Sequence, residues 1–493
     1  MLSKRSPLGA NLTFDRGGLA GAATYAYANR VASFVISIGS LAVLARLLNP
    51  HEFGLVAMVT TFTGLLGLLR DFGLSSAAIQ SANLSPADKS ALFWYNVGLS
   101  ALASILVLLA IPLVSAFYDE QALRPLLYVA AVGLLVSGIS SIHAALLRRD
   151  FNLRGIFFAE VGGLATGAIV SAFLAVITHS AMAVVIGGLL QGFVTSTITL
   201  LWGRWIPVLD GAIKGRLHYL VFGLRVSAFS MLNYITNNVG SVVVGYQSGS
   251  AAMGSFNRAQ NLYGLPVSLV LAPYLQVQFP LLCRVRGNGN DTRQIYGDLL
   301  ALTSTIFLPL SALLPFIAAP ATLVVLGSQW AEAGHILAWF SPSLAALGLV
   351  GPFGQFMTSQ GRVKELQWWG LADVGLRGGG ALIGSLFGPA SAAAGFSLAT
   401  LFLAVPIMIW LTQRDGIFGI KHYARACSSG VLIAFSVGVT ALTLSHLIQT
   451  ASFGPLAQSV LIISGSIIPW ITLGVVLRVR PSQLRALLSR LRT

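Results

Sequence analysis

Long apolar runs alternate with short connections along the whole chain, and this alternation constrains the fold more than any other feature. Stretches of about 20 apolar residues recur, the length that a helix needs to cross the hydrocarbon core of a bilayer. Only 9% of the 493 residues are charged, against about 25% in soluble domains. The sequence therefore predicts an all-α polytopic membrane protein with about 14 transmembrane helices. They are placed near 22–46, 53–69, 90–117, 122–147, 155–177, 181–203, 219–245, 257–282, 297–325, 333–358, 364–386, 389–413, 424–447 and 455–477.

The Lys and Arg residues are concentrated in alternate connections. With a cytoplasmic N-terminus, all but five of the 30 Lys and Arg fall in segments on the cytoplasmic side. Loops rich in these residues stay in the cytoplasm, so the pattern predicts that both termini are cytoplasmic. One helix too many or too few would reverse the alternation downstream, so the pattern also supports the helix count. It explains most of the net charge of +15 without a nucleic-acid partner.

Residue patterns typical of enzymes and metal sites are absent from the sequence. The two cysteines, Cys283 and Cys427, are far apart and fall on the predicted cytoplasmic side, where a disulfide is not expected. The seven histidines show no metal-ligand spacing. We find no Ser/His/Asp arrangement, no phosphate-binding glycine loop and no long outer loop. The chain is therefore predicted not to be an enzyme and to need no cofactor beyond a coupling cation, Na⁺ or H⁺.

A weak internal repeat relates two helix-to-helix turns. Val43-Leu-Ala-Arg-Leu-Leu-Asn-Pro-His-Glu-Phe-Gly54 leaves the first predicted helix, and Val243-Val-Gly-Tyr-Gln-Ser-Gly-Ser-Ala-Ala-Met-Gly254 leaves the seventh. The copies are six helices apart, an even number, so they share an orientation. This predicts two six-helix lobes around a central cavity, related by an axis along the membrane normal. Chance similarity between apolar segments is the alternative.

The repeat divides the chain into four parts. We predict an N-lobe (1–213), a C-lobe (214–420), two additional helices (421–477) and a basic tail (478–493). Leucines recur at helical spacing in the tail, which predicts an amphipathic helix on the inner leaflet, with a solvated tail as the alternative.

Four arginines in or near the predicted spans are candidate cavity cations. An ionisable side chain inside a membrane is costly, so it usually faces protein or water. A guanidinium suits phosphate because its planar fork can donate two hydrogen bonds at once. Anchoring at the membrane interface is the alternative for two of them, and a structural ion pair with Asp373 for a third. The candidates are Arg30, then Arg46 and Arg258 (the two with the anchoring alternative), and Arg377.

Two acidic residues and three prolines complete the candidate site. Glu160 and Asp373 are candidates for ion coupling, with interhelical hydrogen bonding and an ion pair to Arg377 as their respective alternatives. Prolines recur every seven residues in the eighth predicted helix, which predicts that it bends. Kinks tolerated by packing are the alternative. The prolines are Pro266, Pro273 and Pro280.

Several segments within residues 45–330 together resemble one transporter family. They are Ala45-Arg-Leu-Leu-Asn-Pro-His-Glu-Phe-Gly-Leu55, Asp71-Phe-Gly-Leu-Ser-Ser-Ala77, Leu146-Leu-Arg-Arg-Asp-Phe151, Tyr246 through Asn261, Gln278-Phe-Pro-Leu-Leu282 and Leu326-Gly-Ser-Gln-Trp330. The chain is similar to the polysaccharide flippases of the multidrug/oligosaccharidyl-lipid/polysaccharide exporter superfamily, in the branch that handles bacterial exopolysaccharide repeat units.

The resemblance implies a function that the residues alone do not. It implies a bacterial cytoplasmic membrane protein that moves a polyprenyl-pyrophosphate-linked oligosaccharide to the outer leaflet by alternating access, often driven by a cation. Arg46 and Arg258 match arginines of the family motifs, so a role in holding pyrophosphate or a sugar acid carries over to them. One departure concerns Gly240, where relatives often have Asp in a Leu-Asp-x-x-x-Ile-Gly pattern. If that Asp serves coupling in the relatives, coupling here uses another group, such as Glu160 or Asp373, or none.

We therefore expect a transporter of lipid-linked oligosaccharide for exopolysaccharide or lipopolysaccharide biosynthesis. The expected partners are the lipid-linked oligosaccharide, membrane lipids, and the polysaccharide polymerase and export machinery. A small-molecule exporter of the same fold is one alternative, although a basic cavity does not suit cationic drugs. A membrane polymerase or ligase is the other.

Overall fold

The computed structural model describes residues 16–81, 84–208, 218–286, 289–414, 416, 418–450 and 453–477. Every regular element in this part of the chain is helical, and no strand occurs there. The α-helices are α1 (Arg16–Leu47), α2 (Pro50–Asp71), α3 (Leu74–Gln80), α4 (Pro86–Phe117), α5 (Leu123–Arg149), α6 (Leu153–Thr178), α7 (Ala181–Gly203), α8 (His218–Pro266), α9 (Ala272–Arg284), α10 (Gly289–Val325), α11 (Ala331–Ala338), α12 (Ser341–Val350), α13 (Phe353–Ser359), α14 (Val363–Ser385), α15 (Pro389–Ala399), α16 (Val405–Arg414), α17 (Ile420–Thr450) and α18 (Pro455–Val476). The all-α prediction is confirmed, while the tail 478–493 lies outside the described residues.

Ten helical segments are long and apolar enough to cross a membrane, and one bent pair, Ser328–Ala338 with Ser341–Ser359, would make eleven. The protein is therefore a multi-pass membrane protein. The other predicted spans, 219–245, 257–282 and 364–386, lie on α8, α9 and α14, which are too polar or too short to qualify alone. The count of 14 stays a prediction. These helices carry the predicted site residues Arg258, Asp373 and Arg377, so their polar composition points to a function.

The turn between the seventh and eighth predicted helices is much tighter than the sequence suggested. Helical residues run through 246–256, and the break in α8 falls at Gly249 alone. Its φ of 82° lies in the left-handed region, which glycine enters without steric cost. A single residue is therefore enough to interrupt the helix.

Pro266 ends α8 where the helix changes its hydrogen-bonding pattern. A π-helical turn, Val267–Leu271, follows it and leads into α9. Pro273 lies in the first turn of α9 and Pro280 inside it. Proline removes a backbone donor, and such irregular turns are common sites of helix bending. The functional bending of this region stays a prediction.

The chain forms two compact units that interleave along the sequence. The first unit contains the described residues of Met1–Leu44, Leu66–Leu109 and Leu127–Ser227, and the second contains those of Ala45–Leu65, Ala110–Leu126 and Ala228–Thr493. The division cuts through α1, α2, α4, α5 and α8, so that the two ends of each of these helices belong to different units. It therefore does not test the predicted lobes, which stay a prediction.

Small residues allow the helix pairs within each unit to approach closely. In the second unit, a Cβ at Gly380 would lie 2.4 Å from the carbonyl oxygen of Gly395, and one at Gly395 would lie 2.0 Å from that of Gly380. In the first unit, a Cβ at Gly163 would lie 2.0 Å from Oγ1 of Thr195. Lipid tails are as apolar as leucine, so close van der Waals packing, rather than a hydrophobic effect, holds such pairs together.

The α14–α15 crossing provides a stability test. Replacing Gly380 with Ala should lower the free energy of unfolding by at least about 1–3 kcal/mol, because the added methyl group must push two backbones apart. Gly379 on the same helix has nothing within 4 Å of its Cβ position, so Gly379→Ala is a matched control that should not destabilise the protein. Thermal unfolding of both variants in detergent would measure the difference. Equal midpoints would contradict the close crossing.

Candidate functional site

The C-terminal end of α1 is capped by side chains that lie far away in the sequence. Nε2 of Gln329 donates to the carbonyl oxygens of Ala45 and Leu48, the second at 3.1 Å. Nε1 of Trp330 donates to the same carbonyl of Ala45 at 2.7 Å. The last carbonyls of a helix have no partner within it. The family-like segment 326–330 therefore caps the end of α1, where the family-like segment 45–55 starts.

Arg46 lies at this capped end of α1. Its side chain is exposed, and Nη2 donates to the carbonyl oxygen of Val324 at 3.2 Å. Arg46 therefore takes part in the same contact between the end of α1 and residues 324–330. This position is compatible with a structural role as well as with the predicted substrate contact.

Arg258 lies beyond the α8 break and faces an aromatic ring. Its guanidinium carbon is 4.6 Å from the ring centroid of Phe53, a cation–π contact, and Nη2 donates to Oδ1 of Asn257 at 2.8 Å. Nε is buried and has no hydrogen-bond partner among the described residues. An unsatisfied donor on a buried cation is costly. Arg258 thus retains capacity for an anionic ligand.

Phe53 joins Arg258 to the cap of α1. The ring of Phe53 lies edge-on to Trp330 with centroids 5.3 Å apart, and both side chains are almost completely buried. Of the predicted cations, Arg46 and Arg258 are thereby placed in one connected region of the second unit. Gln329, Trp330 and Phe53 were not predicted as site residues.

Arg377 and Asp373 form the ion pair that their spacing suggested. Nε of Arg377 is 2.7 Å from Oδ1 of Asp373. The residue Asp373 is only 5% exposed. The guanidinium also lies 5.4 Å from the ring centroid of Phe396. Both groups are therefore already engaged, as a structural pair requires, and no substrate role follows from the geometry alone.

Glu160 and Arg30 belong to the first unit. Oε2 of Glu160 accepts from Nδ2 of Asn29 at 2.7 Å, and Oε1 accepts from Nη2 of Arg148 at 2.7 Å. The carboxylate side chain remains 35% exposed. Arg30 follows Asn29 on α1 with an exposed side chain. A single cavity containing all four predicted arginines stays a prediction, because Arg30 and the other three lie in different units.

The place of the missing family aspartate is filled by an aromatic side chain. Gly240 is buried, and a Cβ there would lie 3.0 Å from Cζ of Phe256 and 3.9 Å from Cβ of Ala381. An aspartate at position 240 would require Phe256 to move. Glycine at position 240, where the family pattern has Asp, therefore leaves the space that the Phe256 ring occupies in the second unit.

A row of amide side chains lies on α8, at positions that the charge pattern of the sequence did not mark as a site. Nδ2 of Asn237 donates to Oδ1 of Asn233 at 2.8 Å, and Oγ of Ser241 donates to Oε1 of Gln260 at 3.1 Å. Asn233 and Asn237 are exposed. Amides both donate and accept, which suits sugar hydroxyls. The signal was available, since these residues make α8 too polar to count as a span.

One cavity of the second unit is apolar. It has a volume of about 460 Å³ and lies between α2, α4 and α8. Its lining includes Phe62, Leu113, Phe117, Ile235 and Val242. None of the predicted cations contributes to it. In the described ranges, no group of three or more potential metal ligands occurs.

Comparison with known proteins gives consistent matches. A family model described as "Polysaccharide biosynthesis protein" matches residues 43–335. The lipopolysaccharide biosynthesis protein WzxC of Escherichia coli (strain K12) is 24% identical over 342 residues, which cover 67% of this chain and 68% of WzxC. The succinoglycan biosynthesis transport protein ExoT of Rhizobium meliloti (strain 1021) is 25% identical over 73% of each chain. The teichuronic acid biosynthesis protein TuaB of Bacillus subtilis (strain 168) is 22% identical over 87% of this chain and 89% of TuaB.

Solved structures show the same fold at low sequence identity. The lipid II flippase MurJ, in an inward closed conformation, superposes with a TM-score of 0.73 at 14% identity, covering 92% of this chain and 99% of MurJ. An inward-facing multidrug resistance transporter of the MATE family gives a TM-score of 0.60 at 14% identity, covering 78% and 94% of the two chains. The names of ExoT and MurJ are those of a transport protein and a flippase, in agreement with the prediction of a non-enzymatic transporter.

The family model covers more than half of the 493 residues, including both segments that meet at the cap of α1. The chain belongs to the polysaccharide biosynthesis protein family, and its predicted resemblance to polysaccharide flippases of the exporter superfamily is confirmed.

Proposed function

We propose that this protein translocates a polyprenyl-pyrophosphate-linked oligosaccharide across the bacterial cytoplasmic membrane, for exopolysaccharide or lipopolysaccharide biosynthesis. Arg258 carries the proposal, because it combines burial, a free donor and a place in a family motif. The names of WzxC, ExoT and MurJ support it, since each connects this fold or sequence with surface polysaccharide or a lipid-linked precursor.

In this mechanism Arg30, Arg46 and Arg258 hold the anionic end of the substrate. The open Nε–H of Arg258 would donate to a pyrophosphate oxygen, and the planar guanidinium makes such contacts directional. The amides of α8 would bind sugar hydroxyls, while the polyprenyl chain stays in lipid. Rocking of the two predicted lobes would expose the site to each side in turn. Polysaccharide polymerase and export machinery are the proposed downstream partners.

Replacing Arg258 or Arg30 with Ala should reduce transport by about ten- to a hundredfold, the range that a charge-assisted hydrogen bond supplies. The readout is the sidedness of lipid-linked repeat units in cells depleted of the native protein, which should accumulate in the inner leaflet. Arg154→Ala is the matched control, because Arg154 stacks over Phe158 and Trp202 and is not a predicted cavity residue. Normal transport in both test variants at normal protein levels would remove the cavity assignment.

We propose that both termini face the cytoplasm, as the positive charges predict. The two cysteines test this directly, because Cys283 is exposed and Cys427 is buried. A membrane-impermeant maleimide should label Cys283 in inverted vesicles and not in spheroplasts. Cys283→Ser is the control that identifies the labelled site. Labelling in spheroplasts only would reverse the topology.

Of the two acids proposed for coupling to Na⁺ or H⁺, Glu160 fits better than Asp373. Glu160 is partly exposed and bridges Asn29 and Arg148, so an ion can reach it and change its partners. Asp373 is buried against Arg377. Breaking a buried pair by removing one partner is strongly destabilising, whereas replacing both with apolar residues is often neutral.

Glu160→Gln should therefore abolish the dependence of transport on the ion gradient, because the amide cannot exchange a proton or bind a cation as a carboxylate does. Asp373→Leu combined with Arg377→Met should leave transport and folding close to those of the native protein. Transport would be followed with and without an ionophore. Loss of gradient dependence in the double variant, but not in Glu160→Gln, would assign coupling to Asp373 instead.

A small-molecule exporter is the second candidate, supported by the likeness to the multidrug resistance transporter fold. Arg46 and Arg258 lie in the family-like segments 45–55 and 246–261, and their positive charge disfavours the binding of cationic drugs. A deletion strain that becomes more susceptible to drugs, while the sidedness of its lipid-linked intermediates stays normal, would favour this alternative.

A further inference from the structure

We propose that the apolar cavity between α2, α4 and α8 binds the isoprenoid chain of the transported lipid, at the end of the chain that carries the pyrophosphate. The cavity belongs wholly to the second unit and has a volume of about 460 Å³. The proposal rests on the proposed function and deepens it, because it assigns a binding site to the apolar part of the substrate. The remainder of the polyprenyl chain stays in lipid.

The polar groups in the wall of the cavity are bonded to backbone. The hydroxyl of Tyr234 donates to the carbonyl oxygens of Thr60 and Thr61 at 3.1 and 3.0 Å. Nδ2 of Asn238, which also lines the cavity, donates to the carbonyl oxygen of Tyr234 at 2.8 Å. These donors are therefore already used within the protein. The wall presents mainly hydrocarbon to a ligand, and this suits an apolar chain that brings no polar group needing a partner.

Two residues with special backbone properties shape the cavity. A Cβ at Gly64 would lie 2.2 Å from the hydroxyl oxygen of Tyr234, so glycine at this position lets the tyrosine lie directly against α2. Pro112 lies inside α4, immediately before the lining residues Leu113 and Val114. Proline removes a backbone hydrogen bond and bends a helix. The space between the helices is therefore set by backbone geometry as well as by side-chain size.

The cavity has a buried floor and an exposed rim. Thr61 and Val114 are 8% and 7% exposed, whereas Leu113 and Phe117 are 72% and 43% exposed. Polar residues of membrane helices face the interior of the bundle, so an exposed apolar rim adjoins lipid. A hydrocarbon chain can then enter sideways from the bilayer. It also restores the dispersion contacts that the lining atoms of an empty space would lack.

α8 places this cavity beside the amides that are proposed to bind sugar. Successive residues of an α-helix are about 100° apart around its axis, so Asn233 and Asn237 are separated by about 40°. The lining residues Tyr234, Asn238 and Val242 begin about 60° further round the same helix. One side of α8 therefore offers hydrogen-bonding groups, and the adjacent side offers hydrocarbon. A lipid-linked oligosaccharide has the same two parts joined in one molecule.

The depth of the amides separates this ligand from an ordinary phospholipid. Asn237 lies about 18 Å along α8 from the helix break at Gly249, which the proposed topology places at the outer surface. This is more than half of the hydrocarbon thickness of about 30 Å. A phospholipid keeps its headgroup at the surface, whereas a lipid in transit has its sugar held by protein at this depth. Its first isoprene units then lie next to the cavity.

The arginine proposed to hold the pyrophosphate belongs to the same part of the second unit. Gln260, two residues after Arg258, accepts a hydrogen bond from Oγ of Ser241 at 3.1 Å. This bond joins the part of α8 beyond the break to the part that carries the amides and lines the cavity. Cation, amides and apolar cavity are thus all provided by α8 and the helices packed against it.

Photocrosslinking tests what occupies the cavity. Ile235→p-benzoylphenylalanine places a photoreactive group in the lining, and Phe435→p-benzoylphenylalanine is the matched control, because Phe435 is exposed on α17 outside the cavity. Both proteins are reconstituted in vesicles of phosphatidylethanolamine and phosphatidylglycerol with a small fraction of polyprenyl phosphate. The ratio of polyprenyl to phospholipid adducts should be at least about tenfold higher at position 235 than at position 435. Equal ratios would show that the cavity holds bulk lipid and would overturn the proposal.

Filling the cavity tests whether transport uses it. Val242→Trp should remove the polyprenyl enrichment at position 235 and lower transport by at least about tenfold, because the larger side chain takes the space of the isoprenoid chain. Val431→Trp is the control at an exposed position of α17 and should leave both unchanged. Undiminished enrichment and transport in a folded Val242→Trp protein would contradict the proposal. If this variant does not fold, the adduct ratios of the two photoreactive proteins decide alone.

A failure of the proposed function would look different. Polyprenyl enrichment at position 235, together with normal sidedness of lipid-linked repeat units in depleted cells, would leave the chain site intact and remove the flippase. Equal adduct ratios, together with inner-leaflet accumulation in depleted cells, would remove the chain site and leave the flippase.

Discussion

The absence of water in the bilayer core is the constraint on which the rest of this structure depends. Backbone groups there must be satisfied within the chain, which is why every described element is helical. The same constraint governs charged side chains. Asp373 is paired with Arg377, and Glu160 uses both carboxylate oxygens. Among the described residues, Nε of Arg258 is buried without a hydrogen-bond partner, and so is Nε of Arg70. Of the two, only Arg258 was predicted as a site residue, and a ligand is the partner that we propose for it.

Glycine allows close crossings between both neighbouring and distant helices in this molecule. Between α14 and α15 it joins consecutive helices. At Gly54 and Gly254 it joins segments 200 residues apart, where the neighbouring Phe53 and Met253 are almost completely buried. The packing force is the same, since dispersion depends only on close approach. What differs is the length of chain between the two segments in contact.

Sequence reasoning was strongest where one physical cause acts along the chain. Hydropathy located most helices, and helical spacing predicted the pair Asp373 and Arg377. It was weakest where the cause is tertiary. The sequence suggested a connection over 246–256, whereas Gly249 alone interrupts the helix. Gln329 and Trp330 cap α1 across about 280 residues, and no local pattern marks a side chain as a distant cap. Of the sequence patterns, the internal repeat gave the most information on tertiary structure, because symmetry relates residues that are distant in the sequence.

The packing around Gly240 bears on how the two halves of such a transporter can be driven. An acid at this position would lie against Phe256 and Ala381, on the same helix pair that carries Arg258. In this chain Phe256 occupies that space, and Phe340 packs against it with the two ring centroids 5.5 Å apart. A cation therefore has no carboxylate to bind at position 240. Glu160, which we propose as the coupling acid, belongs to the first unit. In the proposed mechanism the substrate anion and the coupling cation therefore bind to different residues, and both can bias one equilibrium without competing for one site.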